Sequence, residues 1–125
     1  MALDASNTGV LTNLSRDLPA GATRHFFNGN DDDCADAKEI VATPGAGRKL
    51  ILTHLTVGTL AAQSISILDG TTTILVGPIQ LEAAGIIYRK DYEWGIELTA
   101  NTAMYVDSDS DLLFHIYIEY IDAPA

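Results

Sequence analysis

The chain has 125 residues, with 7 Lys or Arg against 17 Asp or Glu and a formal net charge of -10. One domain of this length buries roughly two-thirds of its unfolded surface and needs no disulfide or metal to fold, and a hydrophobic content of 47% excludes a disordered chain. The acid excess repels phosphate backbones and so argues against nucleic acid as a partner, because such binding rests on basic patches; its general effect is solubility.

Residues 1–22 are rich in Ala, Ser, Thr, Asn and Gly. Met1 to Ser6 has neither a basic stretch nor an apolar one, so no signal peptide is expected and synthesis is expected to leave the protein in the cytoplasm. Leu11, Leu14 and Leu18 stand three and four apart, a spacing that can place them on one helical face before Leu18-Pro19-Ala20-Gly21 ends it. A terminal segment of this composition reads either as a tail or as an arm that orders on a neighbouring protein, with these three leucines as its anchors.

From Thr23 to Ala125 the text is short β runs separated by turn residues. Thr23–Phe27 precedes Asn28-Gly29-Asn30 and a polar loop, and Lys38–Thr43 meets Pro44-Gly45-Ala46-Gly47. Arg48–Val57 follows, with Ile51, Leu55 and Val57 set against Leu50 and Leu52. The apolar stretch from Leu50 to Leu60 is broken by Thr53, His54, Thr56 and Gly58, far short of the ~20 apolar residues of a membrane helix. Ser64–Leu68 and Thr71–Val76 flank Asp69-Gly70, a hairpin signal. Ile86–Arg89, Glu93–Thr99 and Ala103–Asp107 come next. In Leu112–Ile121, one face holds Leu112, Phe114, Ile116, Ile118 and Tyr120, and the other Leu113, His115, Tyr117, Glu119 and Ile121. Eight or nine strands at this spacing predict an all-β antiparallel sandwich, jelly-roll-like, with an N-terminal arm. An antiparallel strand usually leaves one face to water. The second apolar face of the last strand therefore marks Leu113, His115, Tyr117 and Ile121 as a candidate oligomer interface, unless the chain's own loops cover it.

Little in the sequence points to catalysis. Asp31-Asp32-Asp33 and the alternating Asp107, Asp109 and Asp111 resemble cation loops, but no Glu closes a twelve-residue pattern, and Asp is common in turns for local hydrogen-bonding reasons. His25, His54 and His115 lie on separate strands without a His-x-His pair. Cys34 is the only cysteine, so no internal disulfide forms and no Cys–His zinc pair is available. Pro44-Gly45-Ala46-Gly47-Arg48-Lys49 precedes a strand rather than a helix, which removes the phosphate-loop reading. Tyr88, Tyr92 and Trp94 are a candidate aromatic platform for sugars or single strands, once the core has taken its share of the aromatics. No cofactor or metal is expected.

Residues 44–121 resemble a family. The strand Gly45-Ala46-Gly47-Arg48-Lys49-Leu50-Ile51-Leu52-Thr53, the segment Ile67-Leu68-Asp69-Gly70 with Thr71–Val76, then Gly77-Pro78-Ile79, and the closing Leu113-Phe114-His115-Ile116-Tyr117-Ile118-Glu119-Tyr120 are similar to the small jelly-roll decoration (cement) proteins of tailed-bacteriophage heads. The resemblance covers about two-thirds of the chain and its motifs are architectural. It implies a non-enzymatic homotrimer on the capsid exterior that clamps subunits of the major capsid protein. A phage tail-fibre or receptor-binding module and a small-ligand-binding jelly roll are the alternative expectations.

Overall fold

The computed structural model describes residues 4–11 and 18–125; Leu14 lies outside the described residues. The described chain forms nine strands and no helix: β1 (Asp4–Leu11), β2 (Thr23–Asp31), β3 (Lys38–Val41), β4 (Arg48–Thr59), β5 (Gln63–Asp69), β6 (Thr73–Leu81), β7 (Ile87–Glu97), β8 (Met104–Ser108) and β9 (Phe114–Pro124). They build two antiparallel sheets, ordered β1-β2-β9-β4-β7 and β3-β8-β5-β6. Without β1, this is the eight-stranded order of a jelly roll. β5 pairs with β6, β4 with β7, β3 with β8 and β2 with β9. The chain is thus one long hairpin, rolled so that successive pairs alternate between the sheets.

The turn at the tip of that hairpin is the one the Asp69-Gly70 signal predicts. Asp69 faces Thr73 across it, and Gly70 takes the left-handed conformation at φ 77°, which costs glycine little. Inside, Phe27 of β2, Leu50, Leu52, Leu55 and Val57 of β4, Ile65 and Ile67 of β5, Met104 and Val106 of β8, and Phe114, Ile116 and Ile118 of β9 form one core.

Two registers differ from simple alternation. In β4, Leu50 and Leu52 point inward, and so do Leu55 and Val57, which stand at odd spacing from them. A bulge at Thr53 supplies the extra residue, because the register with both neighbours shifts between Leu52 and His54. Ile51, expected on the side of Leu55 and Val57, therefore lies on the outer face. Thr53 Oγ1 donates to the Glu119 carbonyl at 3.0 Å, so the bulged residue keeps a partner.

The second irregularity lies opposite. His54 faces Asp91 and Leu52 faces Ile96, so the five-residue step on β7 opposes two residues on β4. Ile86–Arg89 and Glu93–Thr99, expected as two strands, are one strand with this excursion in the middle. Gly95 makes the return possible, with φ 73° and its backbone directly against the Ile51 side chain.

The N-terminal segment also differs from the helical spacing. Leu11 belongs to β1, which pairs with β2 from Asp4↔Asn30 to Leu11↔Arg24 as the edge of the five-stranded sheet. Leu18 stands in the loop that leads into β2.

Two substitutions test this account. Leu55→Ala is expected to cost about 2–5 kcal/mol through the cavity it leaves. Gly95→Ala is expected to cost more than about 1 kcal/mol, from its positive φ and from contact with Ile51. Urea unfolding followed by circular dichroism measures both, and a cost near zero for Gly95→Ala would contradict the described bulge.

Candidate functional site

Three places on the molecule gather chemistry or exposed apolar surface. The first is the middle of the outer face of the five-stranded sheet. His54 of β4 is bracketed there, with Nδ1 2.6 Å from Asp91 Oδ1 on β7 and Nε2 2.7 Å from Thr56 Oγ1. Tyr117 of β9 meets the His54 ring edge-on at 5.7 Å and stacks with Phe26 of β2 at 6.3 Å. Its hydroxyl donates to Glu119 Oε2 at 2.6 Å. Burial, and then the Glu119 hydrogen bond and charge, push the Tyr117 phenol up to about 12. The sequence Thr–His–Asp imitates a nucleophile, base and orienter. β4 is laddered to β7 on one side and β9 on the other except at the Thr53 bulge, and the His54–Asp91 contact ties β4 to β7. The cluster is a cross-strand polar lock on a sheet face.

The second place is where the two acidic loops meet. The Ser108 amide donates to the Cys34 carbonyl, and the Ala35 amide donates to Asp111 Oδ1 at 2.9 Å. Asp31 Oδ1 accepts from the Asp32 and Asp33 amides, while Oδ2 lies 2.8 Å from Lys38 Nζ. Asp109 accepts from the Ser64 amide. These carboxylates work as loop staples, the local role that Asp plays in turns. Among the described residues no group of three or more His, Cys, Asp or Glu is placed to hold a metal ion. Desolvation raises the Asp107 carboxyl, helped by Asp36 and Asp109 and opposed by the Ser108 amide. Beneath the loops Cys34 is fully buried with its thiol 3.4 Å from the Val106 carbonyl. Burial, and then Asp31, push it up to about 12.

The third place is one end of the sandwich. Leu60, Ile86, Ile87 and Leu113 surround a cleft of about 370 Å³, with Gly58, Gly85, Asn30 and His115 completing its wall. Leu60 is 66% exposed and Ile87 63%. No Asp, Glu, Lys or Arg lines it, on a chain whose net charge is -10. Three backbone hydrogen bonds join its walls, from the Thr59 amide to the Ile86 carbonyl, from the Gly85 amide to the Thr59 carbonyl and from the Leu60 amide to the Leu113 carbonyl.

Three of the four interface candidates, His115, Tyr117 and Ile121, share the outer face of β9, and Leu113 stands just before it, so the four are strung along its length. Leu113 and His115 stand in the apolar end cleft, and Tyr117 sits in the polar lock. Ile121 is only 9% exposed, against Leu18, Pro19 and Ile51 at the other end, so it offers little surface for another molecule. The reading from sequence missed Leu60, Ile86 and Ile87. Their signal was present: aliphatic side chains beside Gly58 and Gly85, in turn segments where polar residues are the norm. The histidines do not converge. His25 stacks on Tyr120 at 5.3 Å, His54 lies in the lock, and His115 lines the end cleft.

No protein-family model matches the sequence, and no curated protein matches it. Similar solved structures include a cupin domain from Bordetella pertussis Tohama I, 12% identical, covering 100% of this chain and 99% of that one at a TM-score of 0.34. A β-(1,4)-mannanase of the GH26-CBM35 type from Podospora anserina is 9% identical, with 98% of this chain matching 26% of that one at 0.36. The jelly-roll assignment rests on the strand order itself.

Two measurements follow. A maleimide added to the native protein at neutral pH is expected to leave Cys34 unmodified and to label it fully in denaturant, since the thiolate is the nucleophile and the folded state suppresses it. Asp107→Asn is expected to raise the midpoint of thermal unfolding at pH 7. A carboxyl raised in the folded state weakens folding as pH climbs through the carboxylate range. The gain should therefore vanish in acid, below the unfolded value, where both forms of the protein are uncharged at this position.

Proposed function

We propose that this chain is a structural virion protein, a capsid decoration (cement) protein that binds the outside of a phage head and stabilises contacts between major capsid subunits. The observation that carries the reading is the uncharged apolar end formed by Leu60, Ile86, Ile87 and Leu113. Subunits that each carry a charge of -10 repel one another over most of their surfaces, so they can approach where charge is absent. The reading also takes support from the resemblance over residues 44–121.

In this proposal the apolar end, with Leu113 and His115, is the contact between copies of a homotrimer. Complete burial of a Leu or Ile side chain is worth about 1.5–3 kcal/mol. Cyclic symmetry makes the same contact three times, and three linked copies raise avidity for a symmetric shell without a large single interface. Residues 1–22, with Leu11, Leu14 and Leu18, are the proposed capsid-contact arm. As the sheet edge, β1 has an outer side to which a strand of a capsid subunit can add. A protein that binds only the assembled shell stabilises it by mass action. The acid excess suits the exterior, away from packaged DNA.

Light scattering at micromolar concentration is expected to give three chains per particle. The double variant Leu60→Asp, Ile87→Asp is expected to give one, with an unchanged β-rich spectrum. Titration onto decoration-free heads followed by cryo-electron microscopy reads the second half of the proposal. Failure of the wild-type protein to bind heads at any concentration rejects it.

A further inference from the structure

At the opposite end of the outer sheet face from the apolar cleft lies a second cleft, of about 570 Å³, walled by Trp94 and Glu93 of the β7 excursion and by Arg24 of β2, with Ile51, Thr53 and Ile121 on its floor. Along β4, the seven steps from Ile51 to Gly58 separate the two by about 23 Å at the rise of a strand. We propose that this second cleft is a binding site for a neutral saccharide, with a pyranose ring stacked on Trp94. The proposal goes beyond the assembly role and does not depend on it.

Three observations carry it. Trp94 is 90% exposed, the most solvent-accessible large apolar side chain described. A tryptophan left in water forgoes the burial that drives folding, and here the β7 excursion and the left-handed Gly95 hold it out. In the same wall, the Arg24 Nε atom is buried and meets no hydrogen-bond acceptor among the described residues. Arg24 is only half-buried and lines the cleft, so its guanidinium can offer N–H donors to a ligand oxygen. Ile51 and Ile121 make most of the floor apolar, and a few polar groups around an aromatic wall are the usual make-up of a small-molecule site.

The class of ligand follows from these groups. A pyranose offers a face of C–H bonds that matches the electron-rich face of an aromatic ring, and hydroxyls that can accept from Arg24. Charge selects a neutral sugar. The chain carries -10 overall, so an anionic glycan is repelled at long range. An extended peptide fits less well, because strand addition needs a regular edge and the register of β7 is broken between Asp91 and Ile96.

Trp94 is the only tryptophan in the chain, so intrinsic fluorescence reports on this cleft alone. The full-length protein is titrated separately with the methyl glycosides of glucose, galactose, mannose and N-acetylglucosamine, and with glucuronate. The expected result is a saturable shift of the emission with at least one neutral glycoside and a weaker response to glucuronate. Arg24→Ala should lose that response while its emission without sugar stays that of an exposed indole. Trp94→Ala removes a side chain that packs on nothing in the core, so its fold should persist. In that variant, saturation-transfer NMR signals from the same glycoside should disappear. No saturable response to any of the four neutral glycosides overturns the proposal, as does an equal response from Arg24→Ala. An emission shift that tracks protein concentration without sugar also overturns it, and makes Trp94 a subunit contact instead.

Discussion

Four strand pairs of the jelly roll, β5–β6, β4–β7, β3–β8 and β2–β9, are nested about the turn at Gly70, and this nesting dictates where the loops meet. With β5 paired to β6 and β4 to β7, the loop after β4 and the loop before β7 must leave the sandwich at the same end. The pairs β3–β8 and β2–β9 impose the same rule on the loops 32–37 and 109–113. Backbone groups in these strands have no alternative partners once buried, so the ladder cannot slip without exposing one whole set of side chains. Strand β9 is laddered on both sides, to β2 and β4, and it brings Phe114, Ile116 and Ile118 into the core.

The juxtapositions on the surface are consequences of that nesting. Leu60 and Ile86 stand 26 positions apart in the sequence and share the apolar end because their loops share it. The clusters around Asp31 and Asp109, similarly, are distant in sequence and joined in space by the bonds from Ser108 to Cys34 and from Ala35 to Asp111. Two acidic loops packed together are costly unless their carboxylates find donors. Asp31, Asp109 and Asp111 find backbone amides, and Asp107, partly withdrawn from water, shows the strain as a raised carboxyl.

The cations are used in the same way. Lys38 is held by Asp31, Arg48 by Asp122 at 2.7 Å, and Lys49 by Glu97. The last two tie the start of β4 to β9 and β7 respectively. With these cations occupied, the uncharged Leu60–Ile87 end is where a protein of this charge offers least electrostatic resistance to another molecule. The Trp94 cleft lies at the far end of the same face. The two ends divide the proposed roles, one for assembly and one for a solute.

The residues alone determined the class of fold. Period-two alternation in Leu112–Ile121, the Asp69-Gly70 turn and the lack of helical periodicity after residue 22 are local properties, and local chemistry is legible in a sequence. The lone Cys34 and scattered His25, His54 and His115 were likewise readable as they stand. The bulges were not legible, because a bulge depends on how two strands register, and that is set by every other contact in the sheet. Thus Ile51 lies outside while Leu52 and Leu55 both lie inside, and Trp94 is held in solvent when an aromatic in a strand would be expected to pack. The membership of β1 in the sheet was hidden for the same reason, since an edge strand's partner lies elsewhere in the chain. The apolar end is assembled by tertiary structure: the sequence shows Leu60, Ile86 and Ile87 only as aliphatics near Gly58 and Gly85, and nested pairing is what brings them to one place with Leu113.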